Sequence, residues 1–189
     1  MKKLFLGFLV LIGLGLTFGG STVASAATSN TAAYNAAVAK LNQLRATQRH
    51  DIKQKGDGNK VGALKLDGDL TKWAQTRANE LAKQNTGRLY LSHADLKNGQ
   101  PKWSVNSLFK SPKYVAGKVA YGPEALLAST RKDITPTVAV QLWWNEYYTG
   151  AEAYGHYLTL SSPYANHIGF GIAKAKNGAT IVVAEMAYR

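Results

Sequence analysis

"HIGFGIAKAKNGATIVVAEMAY", residues 167–188, decides the fold class. Two apolar runs, "HIGFGIAKA" and "ATIVVAEMAY", flank Lys176-Asn177-Gly178. Asn-Gly between such runs predicts a β-hairpin, because both central residues of the tight turn take positive φ. Working back toward the N-terminus, the pattern turns helical. "ITPTVAVQLWWNEYY" (134–148) offers Thr135 as a cap and Pro136 in the first turn, with Ala139, Leu142, Trp143 and Glu146 on one stripe. "GPEALLAST" (122–130) repeats the device, with Pro123 at a first helical position and Glu124 at a helix start.

Further back, "LDGDLTKWAQTRANELAKQNTG" (66–87) is the strongest helix. Leu70, Trp73, Ala74, Arg77, Ala78 and Leu81 recur at helical spacing, with Asp69 as the expected cap and Gly87 as the expected left-handed stop. "TSNTAAYNAAVAKLNQLRATQ" (28–48) aligns Tyr34, Ala37, Val38, Leu41 and Leu44, after candidate caps Ser29, Asn30 and Thr31. Between these helices, "DIKQKGDGNKVG" reads as a loop, and Lys97 to Tyr121 as a long irregular stretch. Helices around a hairpin-rich sheet make the chain α+β.

Residues 1–26 read as a secretory signal peptide. Lys2 and Lys3 precede the uncharged run "LFLGFLVLIGLGLTFGG", and Ala24 and Ala26 match the small-residue cleavage pattern. A retained membrane anchor is the alternative, since roughly 17 to 25 apolar residues can span a bilayer. Residues 27–189 then form a single domain, expected as a monomer. The chain has no cysteine, so packing rather than disulfides must hold it together. Its net charge is +12, with basic residues spread along the chain and no nucleic-acid motif. The short n-region, the export signal and the absence of cysteine suit a bacterial protein, secreted and extracellular or cell-wall associated. The charge suits either an anionic wall polymer or lipid surface as partner, rather than nucleic acid, or a simply solvated basic face.

The candidate chemistry lies in histidines and carboxylates. Of the four histidines, His50 reads as a surface residue and His167, ahead of a strand, as structural. Glu124 lies among apolar neighbours and Glu146 on an apolar stripe, so both need partners if buried. The apolar faces read as lacking Lys and Arg, which makes imidazoles the expected partners.

The pieces taken in order resemble the CAP superfamily, the SCP-like extracellular proteins. They are "AAVAKLNQLRATQ", "LKLDGDLTKWAQTRANELA", "SHAD", "YGPEALLAS", "VQLWWNEYY" and "GHYLTLSSPYANHIGFGIA". The resemblance covers nearly all of residues 27–189. It implies a three-layer α-β-α sandwich with a central cleft, whose ligand-binding residues fall on His93, Glu124, Glu146 and His156. In some members the two histidines, here His93 and His156, bind a divalent cation, often Zn2+. This chain departs from the family pattern around Glu124: one residue is inserted in the glycine-glutamate-asparagine motif and its asparagine is gone. The disulfides of eukaryotic members are also absent.

Three functions follow from the resemblance as expectations. The first is divalent-metal-supported binding of an extracellular or cell-surface ligand. The second is zinc-dependent hydrolysis of peptides or glycans, with Glu124 or Glu146 as general base. No H-E-x-x-H helix, G-x-S-x-G elbow or cysteine nucleophile supports it. The third is a basic, wall-associated structural or adhesive role. Trp143 and Trp144 fall on adjacent helix faces, one expected in the core and the other at the cleft. Tyr148, Tyr154 and Tyr157 read as packing.

Overall fold

The computed structural model describes residues 21–47, 61–93, 124–149, 155–163 and 165–187, with side chains from residue 30 onward. The signal segment through residue 20, His50, the Lys97–Tyr121 stretch, Pro123 and Tyr154 lie outside the described residues. The elements are α1 (Ser21–Ala46), β1 (Lys65–Leu66), α2 (Gly68–Gln84), β2 (Glu124–Ser129), α3 (Pro136–Thr149), α4 (Gly155–Leu160), β3 (His167–Lys174) and β4 (Thr180–Ala187). The strands form one sheet in the order β1-β3-β4-β2. Both ladders of the C-terminal half, β3–β4 and β2–β4, are antiparallel, and the short β1 joins β3 in parallel.

Alternation along the strands sorts side chains to two faces. Leu126, Ile181 and Val183 pack on one face against Ala74, Ala78 and Leu81 of α2. Ala125, Ile168, Phe170, Val182, Ala184 and Met186 face the other way, against α1, α3 and α4. This is the α-β-α sandwich. The hairpin signal and the apolar stripes of α1, α2 and α3 correspond to these layers.

Glycine spacing sets the distance between α2 and the sheet. A Cβ on Gly169 would lie 2.2 Å from the Leu70 carbonyl carbon, and one on Gly171 would lie 2.2 Å from the Ala74 carbonyl oxygen. The I-G-x-G segment is therefore a bare track on which the helix backbone rests directly.

Several local expectations are corrected. Residues 124–129 form strand β2 rather than a helix start. Pairing decides it: each of the six residues is in register with a residue of β4. The cap of α2 is Asp67, not Asp69: Asp67 leaves β1 in extended backbone, and its Oδ1 accepts from the N–H groups of Asp69 and Leu70, both at 2.9 Å. The stop is Asn85, not Gly87. The Asn85 side chain donates to the Leu81 and Tyr90 carbonyls and accepts from the Tyr90 N–H, each at 2.8 Å.

The β3–β4 loop is Lys176, Asn177 and Gly178, closed by Ala175 and Ala179. Among the described glycines only Gly178 takes positive φ, at 82°. Helix α1 begins at Ser21, so Ser29, Asn30 and Thr31 lie inside it, as continuation through alanine-rich sequence allows. Thr135 does cap α3, its hydroxyl accepting from the Val138 N–H at 3.2 Å.

Two polar side chains act as fasteners. The Gln75 amide donates to the Ile172 carbonyl at 2.8 Å and accepts from the Ile172 N–H at 3.2 Å, pairing β3 backbone beyond the reach of β1. Tyr34 donates to the same amide oxygen, and burial pushes its phenol above the ordinary value, so it remains a neutral donor. Arg45 is fully buried near the end of α1. Its guanidinium donates to the carbonyls of Gly62, Leu160, Ser162 and Ala165, tying α1 to the chain between α4 and β3. Leu160 ends α4, where unpaired carbonyls favour a cation. We expect Arg45→Lys to lose about 2 kcal/mol in urea unfolding, because one ammonium cannot reach this spread of acceptors. An unchanged midpoint would rule out the fastening role.

Candidate functional site

Glu124 opens the edge strand β2, on the side facing α2. It is fully buried as a side chain, and two cationic or imidazole groups meet it. Arg77 Nε donates to Oε2 at 3.0 Å, and His93 Nδ1 lies 2.8 Å from Oε1. A second arm of Arg77 donates to the Ser92 carbonyl, next to His93, and its Nη1 lies 3.6 Å from Glu80. Arg77 thus sets both the carboxylate and the backbone that carries the imidazole.

Imidazoles do meet both carboxylates, and the reading that the apolar faces lack Lys and Arg is corrected by Arg77. An arginine in the apolar stripe of α2 was itself the signal, since a buried guanidinium demands an acceptor. The sequence reading also passed over Glu185. It is fully buried in β4 and paired in register with Glu124, so both side chains project to the α2 side. A lone charge inside the run "TIVVAEMA" was the available clue.

Glu146 and His156 form the second pair. His156 Nδ1 lies 2.6 Å from Glu146 Oε1, and the His156 backbone N–H donates to Oε2 at 3.2 Å. One carboxylate thus holds both the ring and the start of α4. Edge-on and tilted aromatic contacts set this geometry. Tyr157 packs against Trp144 at 5.1 Å and against Tyr147 at 4.6 Å, clamping α4 to α3. Trp143 lies 5.8 Å from the His156 ring, and its indole N–H donates to the Leu126 carbonyl of β2. Both tryptophans are buried, so the expected division between core and cleft becomes one residue, Trp143, that serves in both. Tyr157 packs as expected, whereas Tyr148 is exposed.

The four candidate residues form two His–Glu pairs, each linked to β2. Glu124 belongs to that strand. His156 reaches it through Trp143 on Leu126, two residues or about 7 Å further along. His167 stands apart at the start of β3, bonded to Asn166 Oδ1 at 2.7 Å, which fits its structural reading.

Both carboxylates meet Nδ1, which makes Nε2 of each ring the nitrogen for a further partner. A carboxylate behind an imidazole raises its basicity and fixes its orientation, the arrangement seen behind metal-ligating histidines. Among the described residues, no three or more His, Cys, Asp or Glu side chains gather where they could hold a metal ion. Each pair by itself offers one imidazole, a donor type that divalent cations use.

Among known proteins, the family described as CAP, the cysteine-rich secretory protein family, matches residues 38–186. No curated protein matches the chain. An outer surface protein of Borrelia burgdorferi is similar in structure, with a TM-score of 0.53 and 16% identity over 85% of this chain and 95% of its own. Venom allergen-like protein 4 of Schistosoma mansoni gives a TM-score of 0.44 and 15% identity over 84% and 87%. At such identities the Borrelia likeness speaks to the fold alone. Family proteins of this kind are generally secreted or extracellular. No helix among the described residues is long and apolar enough to cross a membrane. With a family match over most of its length and the sandwich in place, this cysteine-free chain belongs to the CAP family of SCP-like proteins.

Proposed function

We propose that this is a secreted bacterial binding protein acting at or near the cell surface, whose His93–Glu124 and His156–Glu146 pairs support ligand capture through a divalent cation. The observation that carries the reading is the shared arrangement: each imidazole has its Nδ1 on a carboxylate. His93 and His156 would hold the cation through Nε2, and Glu124 and Glu146 would keep the rings basic and oriented. The cation would supply Lewis acidity toward an oxygen-bearing ligand. Leu89, Tyr90 and Leu91, three consecutive exposed apolar residues, lead up to His93 and favour a ligand with an apolar portion beside its polar group.

The test uses protein recovered from culture medium, with Ala27 expected as its N-terminal residue by mass spectrometry. Calorimetric titration with zinc should give one site near micromolar affinity, about −8 kcal/mol. His93→Ala and His156→Ala should each abolish it while keeping the parent's unfolding midpoint. Binding that survives in either variant would defeat a shared two-histidine site. A parent that takes up no zinc, cobalt or manganese would defeat the metal reading altogether.

A further inference from the structure

A second concave site lies away from both His–Glu pairs, between the end of α2 and the end of β3. Asn79, Ala82, Lys83, Thr86, Ala173, Lys174 and Lys176 line a groove of about 620 Å³. Its cause is legible in the packing. Gly169 and Gly171 let the first turns of α2 rest on the sheet, and β3 continues with Ala173 where the track of glycines ends. Ala82 and Ala173 leave a shallow apolar floor, Lys83 and Lys176 stand exposed around it, and Lys174, next along β3, turns its ammonium to the Thr180 hydroxyl of β4. Among the described residues the lining contains no carboxylate.

Lys83 comes from α2 and Lys176 from the β3–β4 loop, so their grouping depends on how that loop is held. Asn177 holds it: its N–H donates to the Asn85 carbonyl at 3.3 Å and its side-chain amide to the Gly87 carbonyl at 3.0 Å. Asn85 is the residue that ends α2. The loop is thereby pinned to the helix end, and the lysine backbones are set before any ligand arrives.

We infer that this groove binds a polyanionic chain through its phosphate groups, independently of the His/Glu pairs. Two ammonium groups act as point charges suited to phosphate, and no arginine fork among the described lining residues selects planar carboxylates. The Thr86 hydroxyl and the Asn79 amide add neutral donors. A trough with charged walls fits a flexible chain better than a flat bilayer. The protein's +12 charge draws such a chain from a distance, and the groove gives that attraction an address.

The test is fluorescence anisotropy with labelled inorganic polyphosphate. One variant combines Lys83→Gln and Lys176→Gln. Its charge-matched control combines Lys72→Gln and Lys132→Gln, both at exposed positions. The groove variant should lose about tenfold or more in affinity, and its salt dependence should flatten by roughly one unit of log–log slope per lost contact. The control should keep its affinity within about threefold. Equal losses in the two variants would overturn the proposal, leaving only diffuse attraction by net charge. So would equally tight binding of polyglutamate, or binding to phosphatidylglycerol vesicles without binding to soluble polyphosphate.

Discussion

Arg77→Met is expected to lower stability by about 3–5 kcal/mol, because it strands the Glu124 carboxylate in a fully buried position with only His93 to meet it. For a chain of this size that is a fall in Tm of roughly 6–20 °C. Glu124→Leu added to Arg77→Met should recover most of the loss, since a buried ion pair replaced by apolar side chains is often neutral or better. The double variant should nevertheless bind zinc poorly, because His93 has lost the carboxylate that orients it. Thermal unfolding and zinc titration of the two variants separate the fold-holding and ring-holding roles. A single variant within about 1 kcal/mol of the parent would mean that Glu124 does not depend on the guanidinium.

Gly171→Ala is the second large effect. Its Cβ would lie 2.2 Å from the Ala74 oxygen, 2.3 Å from the Ala74 carbonyl carbon and 2.5 Å from the Gln75 nitrogen. All three are backbone atoms, so no rotamer change relieves the clash and α2 must shift bodily. Overpacking typically costs 1–3 kcal/mol; against backbone we expect about 3 kcal/mol or more. The shift would also pull Gln75 from Ile172 and Arg77 from Glu124, so zinc binding should weaken together with the urea midpoint. Gly62→Ala and Gly68→Ala serve as controls, because a Cβ at either meets nothing within 4 Å. They should stay within about 0.5 kcal/mol of the parent. A Gly171→Ala protein as stable as those controls would refute direct seating of the helix on the strand.

What could be read from the amino acids follows the reach of each interaction. The apolar stripes of α1, α2 and α3 and the C-terminal hairpin are local periodicities, and each was legible. The strand at Glu124–Ser129 was not, because "EALLAS" favours a helix by propensity, and only pairing with β4, more than fifty residues later, makes it extended. The pairing of His93 with Glu124 and of Glu146 with His156 was open from composition and spacing, which named candidates but not couples. Family resemblance put the four residues in one cleft. Arg77 and Glu185 were missed because each looks like an interruption of an apolar pattern until its long-range neighbour is known. Asp67 and Asn85 took the capping roles given to Asp69 and Gly87 because tertiary bonds decide which polar side chain is free to turn inward.

The strand order has a consequence for the timing of folding. The sheet's central strands, β3 and β4, are the last in the chain, and the earlier β1 and β2 are its two edges. Arg45, near the start, likewise waits for acceptors at residues 160–165. A growing polypeptide therefore has neither a sheet centre for its early strands nor a lock for its first helix until residues 160–187 are made. Premature closure is disfavoured by topology, and the nascent chain stays threadable. Any polypeptide that must pass through a narrow pore gains from such a delay, because its earlier segments travel unfolded until β3 and β4 give them a sheet to join.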